Sequence, residues 1–310
     1  MKYKYLLCFM LLPFFSCGNR VCESLIVEKA VFEDSFQLSM GDRIEVFTCH
    51  EGKLFFELSY GRPIYRVTDK HGKELYNFGR KGHGKGEFLM PELLHSKDSV
   101  YIYDCDIKQL YSVADSTIVN SRKIAITDPE NGMKILKWPY VGYYVFRQNT
   151  LEWKLCHIDS GKNTASLIFC GESYNAPAYL QSFDWDACGD HVVFAQTYYD
   201  AFRICMLSDD MHILSDNNYS QSKEKPTKEK AFYTGVVCSS DRFFLLSQRG
   251  VQIIGNGVCG ESEIEVYDYH GNMMRKIKLG GIFSKMSFDM DSEMLYLLKV
   301  DDTMIKILRM

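Results

Sequence analysis

Along this chain, polar turns alternate with short, dense apolar runs, and the three-to-four-residue spacing of amphipathic helices is weak throughout. Six runs stand out: Leu54-Phe55-Phe56, Val100-Tyr101-Ile102-Tyr103, Tyr143-Tyr144-Val145-Phe146, Val192-Val193-Phe194-Ala195, Phe243-Phe244-Leu245-Leu246 and Leu295-Tyr296-Leu297-Leu298. Their starts lie 43 to 52 residues apart, close to the length of one four-stranded propeller blade. Turn formers such as Glu51-Gly52-Lys53, Lys97-Asp98-Ser99 and Gly189-Asp190 introduce five of the six. At hairpin distance after each run comes a second strand candidate rich in β-branched and aromatic residues, at 64–68, 109–113, 155–158, 204–207, 264–269 and 305–308. The turns Asp69-Lys70-His71-Gly72, Asp159-Ser160-Gly161 and Asp268-Tyr269-His270-Gly271 then lead into further strands such as 75–78 and 274–279.

Because the runs are apolar at successive positions, both faces of each strand are expected to be covered, as they are when a sheet is sandwiched between two neighbours. A β-sandwich would show cleaner in-out alternation. The pattern predicts an all-β fold, a six-bladed β-propeller of four-stranded antiparallel blades. The sixth repeat ends at Met310 one strand short. Residues 30–38, with Val31, Phe32, Phe36 and Leu38, are predicted to supply that strand and close the ring, giving a propeller domain over residues 30–310.

One stretch breaks the rhythm. Residues 78–91, Phe-Gly-Arg-Lys-Gly-His-Gly-Lys-Gly-Glu-Phe-Leu-Met-Pro, carry the chain from one sheet toward the next through closely spaced glycines. Gly79, Gly84 and Lys85 nearly match a phosphate-binding loop. Gly86 stands where Ser or Thr should hold magnesium, however, and the stretch leads toward a strand instead of a helix. Phe78-Gly79, Gly82, Gly84, Gly86-Glu87-Phe88 and Pro91 resemble the glycine signature of NHL-type repeats. The whole chain after its leader resembles TolB-like six-bladed propeller lipoproteins of the Bacteroidetes type. Some propellers of that kind hold a divalent ion with channel carboxylates and act as lactonases or lyases.

The N-terminus reads as an address. Lys2 and Lys4 precede an apolar run over residues 5–15, too short to span a bilayer, and Phe14-Phe15-Ser16-Cys17 resembles a lipobox. The expectation is a signal peptide over residues 1–16, lipidation at Cys17, and a tether over residues 17–29. No acidic run follows Cys17, so the expected address is the outer membrane, facing the periplasm, with the lipid anchor as the contact to the membrane.

Composition narrows the chemistry. A formal charge of −4 over 310 residues gives no basic field for a phosphate backbone, so no nucleic-acid partner is expected. Beyond Cys8 and Cys17 there are nine cysteines, without a C-x-x-C, mostly inside or beside apolar runs. They read as small buried hydrophobes with at most one or two disulfides. None of the eight histidines has metal-site spacing, and no G-x-S-x-G elbow occurs, so no metal, cofactor or catalytic residue is assigned. His71 and His270 occupy equivalent turns, which points to a repeated local role. A propeller site would lie at the central channel or a rim. The channel candidates are Glu92, His95, Asp184 and Asp289, set against the plainer reading that such carboxylates bind turn amides.

Two polar insertions remain. Residues 215–230, mixed in charge, read as a loop between the fourth and fifth blades, and residues 252–263, with Asn256-Gly257, read as an extra hairpin on the fifth. The functional expectation is a binding or scaffolding module for a protein or glycan partner. The alternative is a metal-dependent hydrolase or lyase with its site in the channel.

Overall fold

The six apolar runs lie in the second strands of six antiparallel sheets arranged as a ring. A computed structural model describes residues 25–310 except 39–42, 60–61, 85, 95, 98, 115–116, 125, 127–130, 148–149, 170–177, 221–226, 228, 255–256 and 301–302. In chain order the inner strands are Ile44–His50, Pro91–Leu94, Asn131–Lys137, Phe183–Cys188, Tyr233–Cys238 and Phe283–Asp289, and consecutive ones neighbour each other around a central channel. The second strands are Lys53–Leu58, Val100–Asp104, Tyr140–Arg147, His191–Gln196, Arg242–Ser247 and Met294–Lys299. The hairpin partners foreseen in the sequence are the third strands, from Tyr65–Asp69 in blade one to Met304–Arg309 in blade six.

Burial explains why only the middle of each blade stood out. Every residue of Val100–Asp104 is buried, and in Arg242–Ser247 only the first escapes full burial. The outer strands Thr117–Lys123 and Ile213–Ser220 expose most of their residues. The second of these corrects one expectation: residues 215–220 are the outer strand of blade four, not part of a loop. Its sequence, Ser-Asp-Asn-Asn-Tyr-Ser, is polar because that strand forms the rim.

The N-terminus closes the ring as predicted. Asp34–Gln37 pairs antiparallel with Met304–Arg309, setting Phe36 opposite Ile305, and makes the fourth strand of blade six. Flanking bonds extend the seam, from Glu33 N to Ile307 O at 2.9 Å and from Leu38 N to Thr303 O at 3.1 Å. The residues just before add something the sequence did not suggest. Ile26–Lys29, expected as tether, lies parallel to Met273–Lys278 as a fifth strand on blade five. The first described residues thus bind the last two blades together.

The repeated turns have one design. Asp69 accepts from the amides of His71 and Lys73, both at 2.9 Å, and Asp268 accepts from those of His270 and Asn272 at 2.9 and 2.8 Å. Gly72 and Gly271 then adopt positive φ, +83° and +80°. Each lies beneath an aromatic ring of the preceding blade's outer strand, Phe36 or Tyr219, so close that a Cβ would meet the ring at 2.2 Å. Tyr219 also donates to the carbonyl of His270 at 2.9 Å, and His71 Nδ1 lies 2.9 Å from Asp34. His71 through its ring and His270 through its backbone carbonyl therefore help one blade grip the next. The hairpin predicted on blade five is present, as Val251–Ile254 paired with Gly257–Gly260.

Candidate functional site

An inner strand has a laddered partner on one side only, so amides on its other edge need acceptors from elsewhere. Side chains at the channel supply them. Glu57 of blade one accepts from Leu93 N of blade two at 2.6 Å, and Glu92 accepts from Gly132 N of blade three. In blade four, Asp184 and Asp186 accept from Val236 N and Cys238 N of blade five at 2.9 and 2.7 Å. Gln248 of blade five donates to Phe283 O of blade six at 2.7 Å, while Ser262 Oγ accepts from Phe283 N at 3.0 Å. Ser287 Oγ of blade six accepts from Cys49 N of blade one at 2.9 Å. Between blades three and four Lys134 Nζ donates to Asp184 at 2.8 Å and to the carbonyl of Trp185, and Trp185 Nε1 donates to Gly132 O at 2.8 Å. Each of the six boundaries is therefore laced from side chain to backbone.

Of the four channel candidates, the structure places Glu92, Asp184 and Asp289 on inner strands, and His95 lies outside the described residues. Glu92 and Asp184 line a cavity of about 230 Å³ at the mouth where the inner strands begin, together with Glu45, Lys134 and Lys285. Asp289 lines another, of about 480 Å³, at the opposite mouth. There it accepts from Asp291 N at 3.2 Å and Ser292 Oγ at 2.6 Å, an aspartate binding its own turn. The candidates thus fall at two separate mouths.

Burial sets the electrostatics. It raises both the Glu57 and Glu92 carboxyls to about 7, with Glu92 and Glu45 adding repulsion at Glu57. Burial alone would lower Lys134, but Asp184 and Asp186 hold it above its usual value. At the opposite mouth burial likewise opposes the charge on Lys97, and Asp186 together with Cys238 and Cys188 holds it above its usual value. Lys97, from the turn after the inner strand of blade two, donates to the carbonyl of Cys238 in blade five at 2.9 Å. In a ring of six these blades are opposite, so the Lys97 side chain crosses that mouth.

A second cluster escaped the sequence reading. Arg249, just after the second strand of blade five, donates through Nε to Asp200 at 3.0 Å and through its other nitrogens to Asp200, Tyr233 and Glu265. Glu265 is fully buried, accepts from Tyr267 at 2.9 Å and has Lys276 at 3.4 Å. Burial opposes the charge on Arg249, yet Asp200, Tyr233 and Glu265 keep its pKa above the usual value. Glu265 alternates within an apolar strand, where a buried charge cannot be told from a half-exposed one by pattern.

Among the described residues, no group of three His, Cys, Asp or Glu side chains is placed to hold a metal ion. Cys49, Cys156, Cys205 and Cys238 are buried free thiols, as the apolar setting implied. Burial raises Cys238 well above the ordinary thiol range. Cys17 lies outside the described residues.

No protein-family model matches the chain, and no curated protein matches it. Solved structures do. The propeller domain of Cps50 (Swd1) from Myceliophteria thermophila superposes with a TM-score of 0.52 at 8% identity, over 91% of this chain and 99% of that one. U3-55K gives 0.50 at 13% identity, over 86% and 81%. A Bacteroides fragilis structure, provisionally named an exported protein, gives 0.49 at 12% identity, over 88% and 87%. At such identities the likeness concerns the fold alone. By its own six sheets the chain is a six-bladed β-propeller.

Proposed function

We propose that this protein is an exported, lipid-anchored propeller that serves as a binding or scaffolding module for a protein or glycan partner. The observation that carries the reading is how the channel's polar groups are used. Glu57, Glu92, Asp184 and Asp186 are tied to backbone amides of the next blade, and Lys97 crosses one mouth. These side chains hold the ring together, which leaves the faces and rims for recognition. Propellers host many unrelated functions, so the partner's identity belongs to those surfaces and not to the fold. The hairpin on blade five, with Val258 45% exposed, is one such surface.

The tether rests on the sequence around Cys17, ahead of the edge strand that begins at Ile26. Incorporation of labelled palmitate into the expressed chain, absent from Cys17→Ser, tests it; incorporation that survives the substitution defeats it. For the binding role, the purified protein is used to capture partners from membranes beside metal analysis of the same sample. A defined partner, lost when residues 251–260 are replaced by a short turn, supports the module. A stoichiometric metal with hydrolase or lyase turnover overturns it in favour of an enzyme.

A further inference from the structure

The largest of the cavities described lies off the channel axis, about 760 Å³, between the loop joining the second and third strands of blade one and the glycine-rich passage to blade two. Its volume falls within the roughly 300–1,000 Å³ range of small-ligand pockets. Arg62, Arg80 and Lys81 line it, and among the described residues none of the three forms an ion pair or a side-chain hydrogen bond. In a chain of net charge −4, three unpaired cations around one concavity are out of keeping with the whole.

The only acid among its described lining residues is turned away from them. Glu87 accepts from Gly84 N at 2.8 Å, and its carboxylate fills the space where a Cβ on Gly82 would meet it at 2.1 Å. Nearby Glu45 is engaged by Ser59 and lies 3.5 Å from Arg43. The glycines thus give the loop an internal anion, leaving the cations outside it unneutralised.

Backbone bonds fix the described walls. Ile64 N donates to Gly79 O at 3.0 Å and Gly82 N to Phe88 O at 3.0 Å, while Arg80–Lys81 pairs with Glu87–Phe88. Behind them Tyr65 stacks on Phe78 at 5.1 Å and meets Phe88 edge-on at 5.8 Å. A preorganised concave surface focuses the field of its charges, and the planar guanidinium binds carboxylate and phosphate in bidentate fashion.

We infer that this cleft binds an oxyanion, a phosphate, sulfate or carboxylate group carried by a small molecule or by a lipid headgroup. The inference deepens the binding-module reading by naming a ligand chemistry, and it is independent of the anchor at Cys17. The test titrates the purified protein with inorganic phosphate, sulfate and glucuronate, followed by the arginine side-chain resonances, and separately with phosphatidylglycerol vesicles in a flotation assay.

Saturable binding should fall by about tenfold or more in R62A/R80A, and by a smaller factor in R62K/R80K, which keeps charge but loses the fork. K70A/K73A, which removes equal charge from an exposed turn at the opposite face, should leave it unchanged. Free anions that bind without vesicles identify a soluble ligand, and vesicles that bind without free anions identify a headgroup. No binding in either arm, or equal loss in R62A/R80A and K70A/K73A, overturns the inference. Neither overturning result would touch capture through the blade-five hairpin, so the two readings fail separately.

Discussion

Two arginine clusters sit at the end of the propeller where the inner strands begin, and they are built in opposite ways. Around Arg249 every charge has a partner: Asp200, Glu265, Tyr233 and Tyr267 form a buried network linking blades four and five. Around Arg62, Arg80 and Lys81 the cations are exposed, and Glu87 and Glu45 are held by other groups. The first cluster uses its charge to fix the arrangement of two blades. The second leaves its charge directed at solvent, where it can meet a ligand. Residue type alone does not separate them; burial and the placement of the acids do.

The comparison predicts contrasting effects on stability. Arg249→Ala should be the most costly change, about 3–5 kcal/mol by urea denaturation, because it strands Glu265 in the interior without its main cation. A loss under 1 kcal/mol would mean that the network is no more structural than the cleft.

Between the two clusters, Glu57 and Glu92 lie half-buried at blade boundaries, and desolvation raises their carboxyls to about 7. A carboxyl raised above its unfolded value of about 4.3 stabilises the fold fully below that pH, and the contribution is lost as pH rises through 7. Glu92→Gln keeps an acceptor for Gly132 N but cannot ionise. Its stability relative to the parent should therefore rise by about 2–3 kcal/mol between pH 5 and pH 8. Thermal melts at the two pH values decide this, and a relative stability that falls from pH 5 to pH 8 would show that the carboxylate is needed charged.

The smallest effect should come from the cleft. R62A/R80A should change stability by no more than about 0.5 kcal/mol, as surface substitutions without partners do. A larger loss would place these arginines in the structural class with Arg249 and remove the contrast.

What the sequence determined by itself is the number of blades, their order and the closing strand. The apolar runs made this legible because second and third strands are covered on both faces, so their residues cannot be polar without cost. Residues 30–38 were legible as well, since a sheet one strand short with a spare strand at the other terminus has one economical solution. The repeated Asp-x-x-Gly turns could be read because a local hydrogen-bond pattern and a positive φ demand those residues.

The inner strands and the outer rim were not legible in this way. Asp184 and Asp186 lie in a strand whose exposed edge needs acceptors, and outer strands such as Ile213–Ser220 look like loops because their faces are wet. Ile26–Lys29 carried no sign of its parallel pairing. Tertiary structure alone decided which charges cancel. Glu265 comes to face Arg249 from 16 residues away, and Glu87 comes to face the glycine loop and not Arg62, because an ion pair depends on distances set only when the sheets have packed.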